Sequence, residues 1–133
     1  MGIHSGEAEG VAQVISEHEV QKSIMLAASP YAVLFRTNAG TFYQGKMVYS
    51  KEFKQNVLIN IRKIDGLPIG YSDLSGVRKS DGRAVFVEVK RRGGTASDEQ
   101  KHFIEVMKSY GALAGVCRSA EEAVNIINGL EGT

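Results

Sequence analysis

The sequence predicts an α/β domain, one mixed sheet with helices on both faces. Three observations point there. Short runs dense in β-branched and aromatic residues, such as AVFVEVK at 84–90, fill the middle of the chain. Helically spaced apolar residues with good capping residues flank them on either side. Asp81-Gly82, a strong two-residue turn signal, stands between two of the strand-like runs. The resulting order is α-β-(β)-β-β-α-β-α.

Each element has its own reason. Residues 1–15 show no strong period and read as a tail or extension. Ser16 is an N-cap for a helix whose Val20, Ile24, Ala27 and Ala28 fall at helical spacing, and Pro30 ends it. YAVLFR (31–36) reads as a buried strand, and TNAGTFYQGK (37–46) as a turn-rich stretch punctuated by Asn38, Gly40 and Gly45. VLINIRKI (57–64) alternates as a strand does. GYSDLSGV and AVFVEVK then form a hairpin. A helix follows over about 97–110, its buried side marked by Phe103, Ile104, Val106 and Met107, and Gly111 stops it. ALAGVC is a short buried strand, and SAEEAVNIINGL a closing helix with Ser119 as cap and Glu122 at the capping-box position. Residues 16–130 make a single domain.

Composition excludes several classes. At 133 residues with 43% hydrophobic and 23% charged residues, the chain can bury a core without staples. Its single cysteine, Cys117, rules out an internal disulfide and any cysteine-based zinc knuckle, and fits a reducing cytosol. No apolar run is long enough to span a bilayer, and no basic-then-apolar leader opens the sequence, so a cytoplasmic protein with no membrane partner is expected. His4, His18 and His102 are not spaced as a metal set. The net charge of +1 hides a local band: between Arg78 and Arg92 six basic residues face only Asp81 and Glu88. Such a band suits a polyanion, or is a plain solvated surface.

The chemistry concentrates in the hairpin. Side chains alternate along a strand, so Phe86, Glu88 and Lys90 share one face and Val85, Val87 and Val89 the other. With Asp81-Gly82 as the turn, Asp73 faces Lys90; a slip of one pair puts it opposite Glu88. In either register two carboxylates and a lysine meet on one face. Two close carboxylates repel unless a cation sits between them, and a hard ion such as Mg²⁺ would accept both together with water and phosphate oxygens. The adjacent lysine could orient a water or stabilise developing negative charge. That is the equipment for phosphodiester hydrolysis; a salt-bridge cluster at a hairpin rim is the competing explanation.

Asp73 followed by Glu88-Val89-Lys90 resembles the D…(D/E)xK signature of the restriction-endonuclease-like superfamily. GYSDL resembles the GxPDL-type box of the virus-type replication–repair nuclease (VRR-NUC) domain, EVKRRGGTASDEQ its ExK, Gly-rich link and SxxQ, SEHEVQKSI its first helix, RTNAG its RxNxG strand end, and GALAGVCRSAEEAVNII its closing strand and helix. The resemblance spans about residues 16–130. Ser72 stands where proline is common, and Phe42 to Gly66 matches poorly.

The resemblance implies a restriction-endonuclease-like fold, a central mixed β-sheet flanked by helices with an α-β-β-β-α-β-α core. It implies a metal-dependent endodeoxyribonuclease using Mg²⁺ or Mn²⁺ and acting on branched DNA. Asp73, Glu88 and the carbonyl of Val89 would be metal ligands, Lys90 the catalytic lysine, and Gln100 a group orienting lysine or water. The first helix would add one acid; Glu17 is preferred to Glu19, because Glu17 and Gln21 share a face beside Val20 and Ile24. Gln100 equally closes a capping box with Ser97. Arg91 and Arg92, with Arg36 and Asn38, are candidates for gripping DNA. Tyr43 and Tyr49 near Lys46 and Lys51 would suit a stacking or dimer-contact arm. Symmetric cutting of a four-way junction needs two sites related by a two-fold axis, hence a homodimer. A bacterial or phage-infected cell is the expected setting. A sequence-specific or RNA-directed nuclease, or a DNA-binding module without activity, are the alternatives on the same scaffold.

Overall fold

The computed structural model describes residues 16–130, so the segment read as a tail lies outside the described residues. Helix α1 (Glu17–Ala28) begins where Ser16 Oγ accepts from Glu19 N, at 3.2 Å, and ends at Ser29, before Pro30. Strands β1 (Ala32–Arg36), β2 (Thr41–Ser50) and β3 (Gln55–Asp65) follow. Next come β4 (Leu74–Arg78), β5 (Ala84–Val89), helix α2 (Asp98–Ser109), β6 (Leu113–Cys117) and helix α3 (Ala120–Ile127).

The body is a four-stranded sheet in the order β1-β4-β5-β6, antiparallel except for the parallel β5–β6 pair. Because β5 is an interior strand with both faces covered, its alternation separates two environments. Val85, Val87 and Val89, all fully buried, join Leu74, Leu113 and Cys117 against Val20, Ile24 and Ala28 of α1 and Ala123, Ile126 and Ile127 of α3. Burying such apolar side chains, about 1.5–3 kcal/mol each, supplies most of what holds this layer together. On the other face, α2 covers Phe86, whose ring meets Phe103 edge-on at 5.3 Å while Tyr71 packs on both.

Four expectations are corrected. The segment 37–46 is mostly strand, not turn: β2 pairs with β3 from Thr41 to Ser50. These two strands form a separate ribbon rather than joining the main sheet, so there are two sheets, not one. β1 is an edge strand rather than a buried one: Ala32 and Leu34 face the core, while Val33 and Phe35 face solvent. The β4–β5 connection is also longer than Asp81-Gly82 alone suggests. Arg78 N donates to Arg83 O at 2.8 Å and Gly82 N to Arg78 O at 2.8 Å, leaving residues 79–82 as the loop. Gly82, at φ 74°, takes the left-handed conformation that the loop's return requires. Asp81 accepts from Arg78 Nη2 (2.7 Å), Arg78 Nε (3.1 Å) and Arg83 N (3.1 Å), and Arg78 holds its carboxyl down at about 2. Leu74 consequently pairs with Val87 and Ser75 with Phe86, the slipped register, which sets Asp73 opposite Glu88.

Candidate active site

Glu88 is the centre of the site and an unusual residue to find there: its side chain is 1% exposed. Its backbone belongs to an interior strand of the sheet. One carboxylate oxygen is engaged. Oε2 accepts from Gln100 Nε2 at 2.9 Å and lies 3.5 Å from Lys90 Nζ. The other, Oε1, is buried without a partner. Asp73, just before β4, aims its carboxylate at the end of β5, where Oδ2 accepts from Val89 N at 2.9 Å. Lys90 N donates to Cys117 O at 2.9 Å, toward β6, so alternation turns the amide and carbonyl of Val89 the opposite way, toward Asp73.

The electrostatics follow from this geometry. Burial pushes the Glu88 carboxyl up to about 8, the neighbouring Asp73 carboxylate adds to the rise, and Lys90 only partly opposes it. The same negative charge reaches Cys117, whose thiol burial raises to about 12, with Glu122, Asp73 and Glu88 contributing; it is no nucleophile. A hard divalent cation fits this arrangement. It would partner the orphaned Oε1, relieve the Asp73–Glu88 repulsion, and find carboxylate and carbonyl oxygens as donors. Among the described residues no group of three or more His, Cys, Asp or Glu gathers as a metal cluster, which leaves the carboxylate pair as the core of any such site. Glu17 stands in the first turn of α1, half-buried, whereas Glu19 is exposed.

Gln100 caps its helix and reaches Glu88 with the other end of its amide. Its Oε1 accepts from Ser97 N at 2.8 Å, completing the capping box of α2, and its Nε2 holds Glu88. The cap thereby fixes the amide's orientation, and a helix end becomes a positioning device. Arg36 closes β1 and Arg91 and Arg92 follow β5; these strands run in the same direction, so all three exposed cations leave the sheet at the edge where Asp73 sits. Asn38 is exposed on the same connection, its carbonyl accepting from Leu67 N at 2.9 Å.

Two contributors escaped the sequence. Thr37 N donates to Asp73 O at 3.0 Å and Thr37 Oγ1 donates to Ser72 O, tying the end of β1 to the segment that carries Asp73. Arg118 Nη2 donates to Gly94 O at 2.7 Å, pinning the Gly-rich loop after Lys90. All three bonds go to backbone carbonyls, which leave no mark on residue pattern.

Carboxylates opposed across a hairpin, a lysine two residues beyond one of them and a glutamine holding the buried acid are suited to hydrolysing a phosphate ester. The description of one family covers these elements together: the VRR-NUC domain matches residues 34–121, more than half of the chain. No curated protein shows significant sequence similarity to it.

Proposed function

The chain belongs to the VRR-NUC family, whose members are nucleases of the PD-(D/E)xK type, and from that premise we propose that it is a divalent-metal-dependent endonuclease cutting branched DNA as a homodimer. The observation that carries this reading is the unpartnered, buried Oε1 of Glu88 beside Asp73. Asp73, Glu88 and the Val89 carbonyl would hold Mg²⁺ or Mn²⁺, which when bound supplies charge balance and polarises the phosphodiester. Gln100 keeps Glu88 aimed. The Lys90 ammonium, 3.5 Å from Glu88, steadies the attacking water and the negative charge that grows on the phosphate. The water's oxygen joins phosphorus and gives up a proton to solvent, one P–O bond to a sugar oxygen breaks, and the departing oxygen takes up a proton from solvent in return. Arg36, Asn38, Arg91 and Arg92 supply contacts to the DNA backbone.

Digestion of labelled four-way junction, flap, plain duplex and RNA with Mg²⁺, Mn²⁺ or EDTA tests it. Metal-dependent cleavage favouring the branched substrates is expected. Asp73→Asn and Lys90→Ala should each lower the rate at least about 10³-fold while DNA affinity stays within a few-fold. If the unaltered protein cuts nothing with Mn²⁺, the DNA-binding module replaces the nuclease.

A further inference from the structure

The α2 side of the main sheet is covered unevenly. Helix α2 lies over β5 and β6. Tyr71 closes the space above Phe86, its hydroxyl donating to Ser75 Oγ at 3.2 Å. Beyond Tyr71 the sheet is bare: on this side of β1 and β4, Val33, Phe35 and Val77 are 40, 63 and 43% exposed. The register sets that bare strip beside the carboxylates. Phe35 pairs with Ser75 and Ser75 with Phe86, forming one row across the sheet. Two residues on, Thr37 N bonds Asp73 O and Asp73 stands opposite Glu88, the next row on the same face. Phe35 and Asp73 are therefore diagonal neighbours, about 7–8 Å apart, within the reach of an aromatic ring. Away from the site the strip passes the Val33–Val77 pair and ends at Tyr31 and Lys79, where Lys79 N donates to Tyr31 O at 2.8 Å. Tyr31 and Lys79 are both exposed, as is Arg36 at the other end, and neither β1 nor β4 contains a carboxylate.

We propose that this strip seats an unpaired DNA strand, and that Phe35 is a specificity-determining residue whose ring stacks on the base next to the scissile phosphate. Three observations select that occupant. A phosphate held at Asp73 and Glu88 must send its nucleoside to one side. Helix α2 covers the side toward β6 and Tyr71 the side toward Phe86, whereas toward Phe35 the sheet is open. The strip also joins exposed rings to cations at its two ends, without an acid between them, and that combination suits a single strand: rings take bases and cations take phosphates. Finally, a base inside a duplex has both faces covered by its neighbours, so an exposed ring rewards only a base that has left the stack. The inference rests on the nuclease reading for where the scissile phosphate sits, and it gives the preference for branched DNA proposed there a physical source.

Binding is read apart from cutting in the full-length Lys90→Ala protein, with a DNA flap carrying 2-aminopurine at the unpaired base beside the branch. Fluorescence should fall as the base stacks, and the same label inside a duplex arm should not respond. Adding Phe35→Ala should abolish the change and weaken binding of the flap and of a thymidine oligonucleotide by about 5- to 150-fold, the worth of one base–aromatic stack. Affinity for plain duplex should stay within about twofold. Phe35→Trp should keep the signal and the affinity, whereas Phe35→Leu, apolar but without a flat face, should lose both. In the active protein with Mn²⁺, Phe35→Ala should slow flap cutting by a similar factor. If the unaltered protein cuts nothing while these binding differences hold, the nuclease reading fails and the strip stands. Should Phe35→Ala not fold, the label decides: no fall at the unpaired base, or an equal fall in the duplex arm, overturns the strip. Equal loss on flap and duplex also overturns it, and so does Phe35→Leu binding as the unaltered ring does, which would assign the strip to an apolar protein contact.

Discussion

The molecule contains two antiparallel strand pairs that differ in almost everything except hydrogen bonding. The β4–β5 hairpin lies inside the sheet, with α1 and α3 on one face and α2 on the other, and Val85, Val87 and Val89 are wholly buried. The β2–β3 ribbon is longer and comparably apolar, yet most of its residues are exposed. Burial lets the hairpin hold a carboxylate away from water, the condition that pushes the Glu88 carboxyl up to about 8. Exposure prevents the ribbon from holding anything of the kind. What it offers is surface. A strand's apolar content therefore does not say whether it belongs to a core; neighbours on both faces do.

The sharpest way to test that contrast is to disturb one region and ask whether the other notices. At Gly76 in β4, a Cβ would sit 1.8 Å from Val33 O, so Gly76→Ala must push β1 off β4. We expect a loss above about 3 kcal/mol in chemical denaturation, or failure to fold, as for an overpacked core. Met47→Ala in the ribbon should move the global unfolding free energy of the dilute protein by less than about 0.5 kcal/mol. Equal losses at both positions would mean the ribbon is part of the body's cooperative unit.

A smaller effect concerns pH. In metal-free protein the Glu88 carboxyl is raised from 4.5 to about 8, so the folded state keeps a proton that the unfolded chain releases in that window. Stability should therefore fall as pH rises from about 4.5 toward 8, by on the order of 2–4 kcal/mol in all. Thermal melts in EDTA across this range would show the slope. Glu88→Gln should flatten it, and saturating Mg²⁺ should offset it if the carboxylate pair binds the ion. A pH slope that survives Glu88→Gln would come from other titrating groups.

How much of this was legible in the sequence also divides along the two regions. The face shared by Phe86, Glu88 and Lys90 could be read because period-two alternation holds strictly in a strand packed on both sides. The register could not, since Asp81-Gly82 reads as a complete turn. Only the structure shows Arg78 and Arg83 gathering around the Asp81 carboxylate and lengthening the loop. Strand β2 was missed because Gly40 and Gly45 read as punctuation, and because its own residues, apolar on both faces, lack the alternation that revealed its partner β3. Gln100 was legible as a cap, which the structure bears out; that its amide has an oxygen for Ser97 N and a nitrogen left over for Glu88 was not.

The last and smallest expectation falls at the joint between the two regions. Thr37 follows β1, where the chain leaves the body for the ribbon, and its hydroxyl reaches back to Ser72 O while its amide holds Asp73 O. One residue further, Asn38 O and Gly40 N bond the backbone of Leu67 and close the root of the ribbon. Thr37→Val keeps the shape and the backbone bonds but removes the hydroxyl, leaving Ser72 O without that donor. A stability loss near 1 kcal/mol is expected. If the hydroxyl serves Asp73, kcat should drop about three- to tenfold with KM and the dimer mass unchanged, because a slightly displaced carboxylate weakens the transition state more than substrate binding. Thr37→Ser, which restores the donor, should recover kcat. A variant that instead speeds hydrogen exchange of the amides of 41–65 and leaves kcat intact would place Thr37 in the service of the ribbon, and the boundary between the two regions would move one residue toward the body.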